Sequence, residues 1–171
     1  VTETGAEAGE AASVFVGLGS NEGREAHLRL AVAALRERFA PVRLSPVYES
    51  PDSRFGGPPF YNLVAGFRTA MAPAELRACF RGIEARCGRV QRRERTFPLD
   101  LDLLLYDDRL GDDPKLPHPD ILARAFVLKP LSDLAPDFVH PATGRTLAWH
   151  WLHFDRGQLG GLRAVELKVE G

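Results

Sequence analysis

The stretch Leu99-Asp100-Leu101-Asp102-Leu103-Leu104-Leu105 decides how this chain is read. Successive side chains of a strand point to opposite faces. The alternation predicts a strand over Leu99–Tyr106. Leu99, Leu101, Leu103 and Leu105 are expected on a core face, with Asp100 and Asp102 together on the other. Two carboxylates at such range repel unless something positive lies between them. Mg²⁺ meets that need, because it favours oxygen ligands and is often held by one or two carboxylates plus substrate phosphates. A bare Asp-x-Asp fits a solvated acidic edge equally well. The cations on either side tip the balance: Arg89, Arg92, Arg93 and Arg95 before it, His118 and Arg124 after it. Arginine matches phosphate oxygens with a rigid bidentate fork. Phosphoryl transfer needs positioning and charge neutralisation above all.

Upstream, Val14–Leu18 is a short apolar run that stops at Gly19-Ser20-Asn21, a buried strand and its turn. Leu28, Ala31, Val32, Leu35 and Phe39 then fall on one helix face, with Ser20 or Asn21 as the expected cap. Val42–Ser50 reads as a strand interrupted by Pro46, which suits an edge or a bulge. After a Pro- and Gly-rich loop, Phe60–Thr69 is the next strand. Phe60, Asn62 and Val64 share one of its faces; Tyr61, Leu63, Ala65 and Phe67 share the other. Pro73 opens a second helix carrying Leu76, Cys79, Phe80, Ile83 and Cys87 at helical spacing, and Gly88 marks its end.

The order β-α-β-β-α-β is the split ferredoxin-like arrangement. The expected class is α+β: an antiparallel sheet with helices packed on one face, plus C-terminal additions. In those additions, Leu116-Pro117-His118-Pro119 is extended or turned. Phe126–Leu134 is expected to hold a short strand and a helical turn, and Leu162–Val169 a late strand.

The chain has 171 residues and a formal net charge of −1. That suits one domain, over residues 13–171, and nothing in it suggests a generic nucleic-acid binder. Residues 1–12 are polar and acidic, with no basic start and no apolar stretch, and read as a flexible leader rather than a signal peptide. Eight residues along one helix separate Cys79 from Cys87 by about 12 Å. A disulfide needs Cα atoms within about 7 Å, so both thiols should be free, as in a reducing compartment. No run is long and apolar enough to span a membrane. A cytoplasmic monomer is expected. The chain lacks a Gly-x₄-Gly-Lys-Ser/Thr loop, and Gly17-Leu18-Gly19 is not completed into a dinucleotide fingerprint.

A series of segments runs in order along the chain: Gly17-Leu18-Gly19-Ser20-Asn21, Val47-Tyr48-Glu49-Ser50, Phe60-Tyr61-Asn62, Ile83-Glu84, Gly88-Arg89-Val90, Leu99 to Leu104, Leu116-Pro117-His118-Pro119, Arg124-Ala125-Phe126-Val127-Leu128 and Leu134-Ala135-Pro136. In these the chain resembles the 6-hydroxymethyl-7,8-dihydropterin pyrophosphokinases of folate biosynthesis, from about Val14 to about Trp151. The resemblance implies pyrophosphate transfer from ATP to the pterin alcohol, with release of AMP. It implies two Mg²⁺ ions on Asp100 and Asp102, with Arg89 and Arg95 as further catalytic candidates. It places Glu84, Arg89, Arg92, Leu103, His118 and Arg124 around ATP. It places Ser50, Phe60, Asn62 and Phe126 around the pterin, the two phenylalanines stacking on its faces. Read from the residues alone, those phenylalanines are core packing.

The chain also departs from the family pattern. An arginine usually stands three residues before the first metal aspartate; here that residue is Phe97, within Arg95-Thr96-Phe97-Pro98-Leu99. The family's second arginine after Gly-Arg-Val is Gln91, beside Arg92. Arg92, Arg93 and Arg95 are the candidates to neutralise charge. The alternatives are a weakened paralogue that binds ATP or pterin, a metal-dependent phosphoesterase, and a non-enzymatic interaction module.

Overall fold

The structure, a computed structural model, describes residues 9–88 and 96–169. Strand β1 (Ala12–Ser20) leads through a turn into helix α1 (Arg24–Phe39). Strand β1 thus takes in Ala12, the last residue of the expected leader. Two short strands follow, β2 (Arg43–Leu44) and β3 (Val47–Ser50), then the long β4 (Phe60–Thr69) and helix α2 (Pro73–Arg86). Strand β5 (Asp100–Tyr106) completes the ferredoxin-like unit. The sheet order is β5-β1-β4-β3, and every pairing in it is antiparallel.

Pro46 splits one expected strand into β2 and β3, both of which pair with β4. Ser45 bridges the gap with its hydroxyl oxygen, which accepts the Val64 N–H at 2.8 Å, while its own N–H donates to the Val64 carbonyl at 2.9 Å. The proline therefore interrupts the strand without breaking the sheet. The expected helix cap is not seen. Gly23, with φ +55°, occupies the N-cap of α1, and Ser20 and Asn21 bond elsewhere.

Helices α1 and α2 cover one face of the sheet, packing Leu28, Leu35, Leu76 and Phe80 against Val14, Val16, Leu63 and Leu101. The expectation of helices on a single face holds for this pair only. After the hairpin β6 (Gly111–Asp112) and β7 (Lys115–Leu116), helices α3 (Asp120–Ala123), α4 (Ala125–Leu134) and α5 (Leu147–Leu152) build a layer on the second face. Helix α4 occupies the segment read as a short strand and turn; its spacing of Leu128 and Leu131 faces Phe15, Val64 and Leu104. The Tyr48 hydroxyl donates to Asp133 and ties α4 to β3. The last strand, β8 (Arg163–Val165), extends the sheet beyond β3 as the sequence suggested. Glu49 holds it there, accepting from Arg163 at 2.8 Å and from Arg24 of α1 at 2.8 Å. These two guanidinium groups also hold the Glu49 carboxyl below its ordinary pKa.

The second face requires a break in the alternation of β5. Val16 pairs with Leu103 and Phe15 with Leu105, so Leu104 is an extra residue, a β-bulge. Leu99, Leu101 and Leu103 face α1 and α2 as expected. The bulge turns Leu105 over, and it joins Leu104 against Ile121, Leu128 and Leu131. Leu104 is only 1% exposed. Leu104→Ala should therefore cost about 2–5 kcal/mol, as large-to-small changes in a filled core do. Urea denaturation measures it; a loss below about 1 kcal/mol would mean that the second layer is not tightly packed.

Candidate active site

Asp100 and Asp102 project side by side from β5, as the alternation demands. Their partners on β1 are Gly19 and Gly17. Neither partner has a side chain, so the sheet surface beside the carboxylates stays open. Two hollows meet there, and Asp100 and Asp102 are the residues that line both.

The larger hollow is a groove of about 650 Å³ between α2, β5 and the β6–β7 hairpin. Glu84, Leu103 and His118 line it, as the sequence reading proposed for nucleotide contacts. Glu84 is 2% exposed, and its carboxylate accepts the Leu101 N–H at 2.9 Å. It thus braces the backbone between the two aspartates. His118 is anchored by its own N–H, which donates to the Leu104 carbonyl at 2.9 Å. The Asp120 N–H donates to its Nδ1 at 3.1 Å, so a neutral ring carries its proton on Nε2. Burial lowers the His118 pKa, against the upward pull of Asp120 and Asp100. Arg77, Arg81 and Lys115 also line this groove; sequence reasoning missed them because single exposed cations on a helix or hairpin carry no pattern.

The second hollow is a narrower slot of about 60 Å³. Ser50, Phe60, Asn62 and Phe126, the four expected pterin contacts, all line it. They come from β3, β4 and α4, so three separate elements converge. The Asn62 amide donates to the Ser50 hydroxyl at 2.8 Å, and this buried pair fixes the polar wall. Gly19 forms the floor. A Cβ there would stand 3.3 Å from Asn62 Oδ1 and 3.7 Å from Phe60 Cδ1. The loop after β3 supplies a rim that sequence reasoning left blank. Asp52, 8% exposed, accepts the N–H groups of Arg54, Phe55 and Gly57, each at 3.1 Å. A short polar residue after proline is an Asx-turn signal that could have revealed it.

Arg89, Arg92, Arg93 and Arg95 lie outside the described residues. Arg124 is exposed at the N-cap of α4 and lines neither hollow. Phe97, in the position where arginine is usual, packs its ring against Phe60 and Phe55.

The fold is ferredoxin-like, and its cleft is two hollows that meet at a pair of carboxylates. The chain belongs to the 7,8-dihydro-6-hydroxymethylpterin-pyrophosphokinase (HPPK) family, whose model matches residues 15–136. It is 46% identical over 138 residues to the 2-amino-4-hydroxy-6-hydroxymethyldihydropteridine pyrophosphokinase of Pseudomonas aeruginosa, covering 75% of this chain and 83% of that protein. It is 36% identical over 142 residues to the folic acid synthesis protein fol1 of Pneumocystis carinii, covering 80% of this chain but 19% of that much longer protein. A solved Plasmodium falciparum HPPK-DHPS chain superposes with a TM-score of 0.68 at 14% identity, over 86% of this chain and 46% of that one, which shows the shared fold.

The depressed pKa of His118 means that protonating it costs folded-state stability, so the loss begins as pH falls below the unfolded value of about 6.5. NMR titration should give a midpoint below about 6.5, and Asp100→Asn should lower it further by removing a charge that raises it. Gly19→Ala should crowd the Asn62 amide oxygen and weaken binding of a pterin more than of ATP, which calorimetry can compare.

Proposed function

We propose that this chain transfers pyrophosphate from ATP to 6-hydroxymethyl-7,8-dihydropterin and releases AMP, in folate biosynthesis. The observation that carries this reading is that the two hollows share Asp100 and Asp102. A nucleotide in the groove and a flat heterocycle in the slot would present their reacting ends to the same pair of carboxylates. The family relatives favour this reading over a phosphoesterase, which needs no second organic substrate and so no slot. The cytosol and a monomeric state belong to the same proposal.

The residues fit Mg²⁺. Asp100 and Asp102 offer oxygen donors only, from one face of one strand, and the facing glycines leave room. Asp100 and Asp102 would hold two such ions, which when bound neutralise phosphate charge. Every other task falls to the chain itself. Phe60 and Phe126 would stack on the pterin, and the Asn62–Ser50 pair would hydrogen-bond its edge. That grip turns the hydroxymethyl oxygen toward the carboxylates. The oxygen attacks the β-phosphorus, the bond from that phosphorus to the α–β bridging oxygen breaks, and AMP leaves with the bridging oxygen. The hydroxyl proton passes to water in the same transfer. His118 would donate Nε2–H into the groove, and Glu84 keeps the two aspartates in register through Leu101. Holding both substrates in line replaces an encounter by a fixed approach, the larger part of such catalysis. The arginine that completes charge neutralisation is expected among Arg92, Arg93 and Arg95.

The test is AMP release from Mg-ATP by the purified chain, with and without the pterin alcohol. Pterin-dependent AMP is expected, abolished by EDTA and reduced at least about a thousandfold in Asp102→Ala. AMP or phosphate release indifferent to the pterin would instead identify a phosphoesterase. Tight binding of both ligands with no AMP would identify a weakened paralogue.

A further inference from the structure

We infer that Phe97 is a positioning residue for the pterin slot: its ring braces the Phe60 wall, and Asn21 locks the Phe97 backbone in place. The inference rests on reading that slot as the pterin site.

The lock is a reciprocal pair of hydrogen bonds. The Asn21 N–H donates to the Phe97 carbonyl at 3.0 Å, and the Phe97 N–H donates to Asn21 Oδ1 at 2.5 Å. The same amide donates through Nδ2 to the Pro58 carbonyl at 3.2 Å. One side chain, 4% exposed, therefore ties together the end of β1, the loop before β4 and the approach to β5. A backbone held on both its N–H and its C=O has little freedom left, so the Phe97 ring is delivered to a fixed place.

That place is against Phe60. The two ring centroids lie 5.9 Å apart with planes at 35°, within the range of a stabilising aromatic pair. Phe55 meets Phe97 at 5.7 Å and 32°. Phe55 does not float there, because Asp52 holds the N–H groups of its loop. Phe60 thus packs close to Gly19 and is braced by a second ring. A wall held in one rotamer before the ligand arrives spares the ligand the cost of ordering it. A phenylalanine carries no charge, so what it offers at this position is aromatic support. The brace also stands three residues before Asp100, so the pterin wall and the carboxylate strand share one short tether.

The test is calorimetric titration of 6-hydroxymethyl-7,8-dihydropterin and, separately, of Mg²⁺ with α,β-methylene-ATP. The proteins are wild type, Phe97→Ala, Phe97→Tyr, Asn21→Ala and the double variant Asn21→Ala/Phe97→Ala, each with its Tm. Phe97→Ala should weaken pterin binding about three- to tenfold and leave nucleotide binding within about twofold. Phe97→Tyr should restore it. Asn21→Ala should weaken pterin binding in wild type and add little in the Phe97→Ala background, the mark of two residues acting through one contact. Wild type that binds pterin while Phe97→Ala binds it equally well overturns the inference alone. So does a Phe97→Ala protein that loses both ligands alike with a lowered Tm, since that is general packing. Wild type that binds no pterin overturns the reading of the slot, and the inference with it.

Discussion

The pairing of β1 with β5 is the constraint on which the rest depends. Gly17 and Gly19 face Asp102 and Asp100 across this ladder. Any larger residue on β1 would fill the space that the carboxylates and their ligands need. The same strand carries Val14, Val16 and Leu18 into the core on its other side. One strand thus combines a filled face, which fixes its register, with an empty face, which leaves room for chemistry. The register matters because a slip of one residue would exchange the two.

The bulge at Leu104 lets β5 serve two layers at once. Before it, the leucines pack against α1 and α2; after it, the chain presents Leu105 to α3 and α4. The aspartates lie just ahead of the turnover, so the site sits where the second layer begins. Phe126 enters the slot from that layer, while Phe60 and Asn62 belong to the sheet. Without the C-terminal helices the slot would be a patch on an open sheet.

Much of this was legible in the sequence, and the reasons differ by element. The faces of β4 and of α1 followed from strict periods of two and about 3.6, because burial on one side enforces them. The paired aspartates stood out for the same reason. Leu105 was misplaced because a bulge leaves no mark on a run of leucines; the pattern Leu103-Leu104-Leu105 is equally apolar on both faces. Helix α4 was hidden by Pro130, which is buried within it, and by the short stretch available to show a period. Ser20 and Asn21 looked like caps because their side chains suit one, yet both spend their bonds on Glu22, Pro58 and Phe97. The roles of Asp52 and Phe97 arise from contacts across the fold, which spacing along the chain does not report.

Strand β5 is also the outer strand of its sheet. An outer strand shows a row of open donors and acceptors that can recruit a foreign strand and seed aggregation. Here Glu84 occupies the Leu101 N–H, and the His118 backbone occupies the Leu104 carbonyl. These two residues line the groove, yet they also blunt the edge against addition of another chain. The wall of the groove and the blunting of the edge therefore rest on the same two residues, Glu84 through its carboxylate and His118 through its backbone N–H.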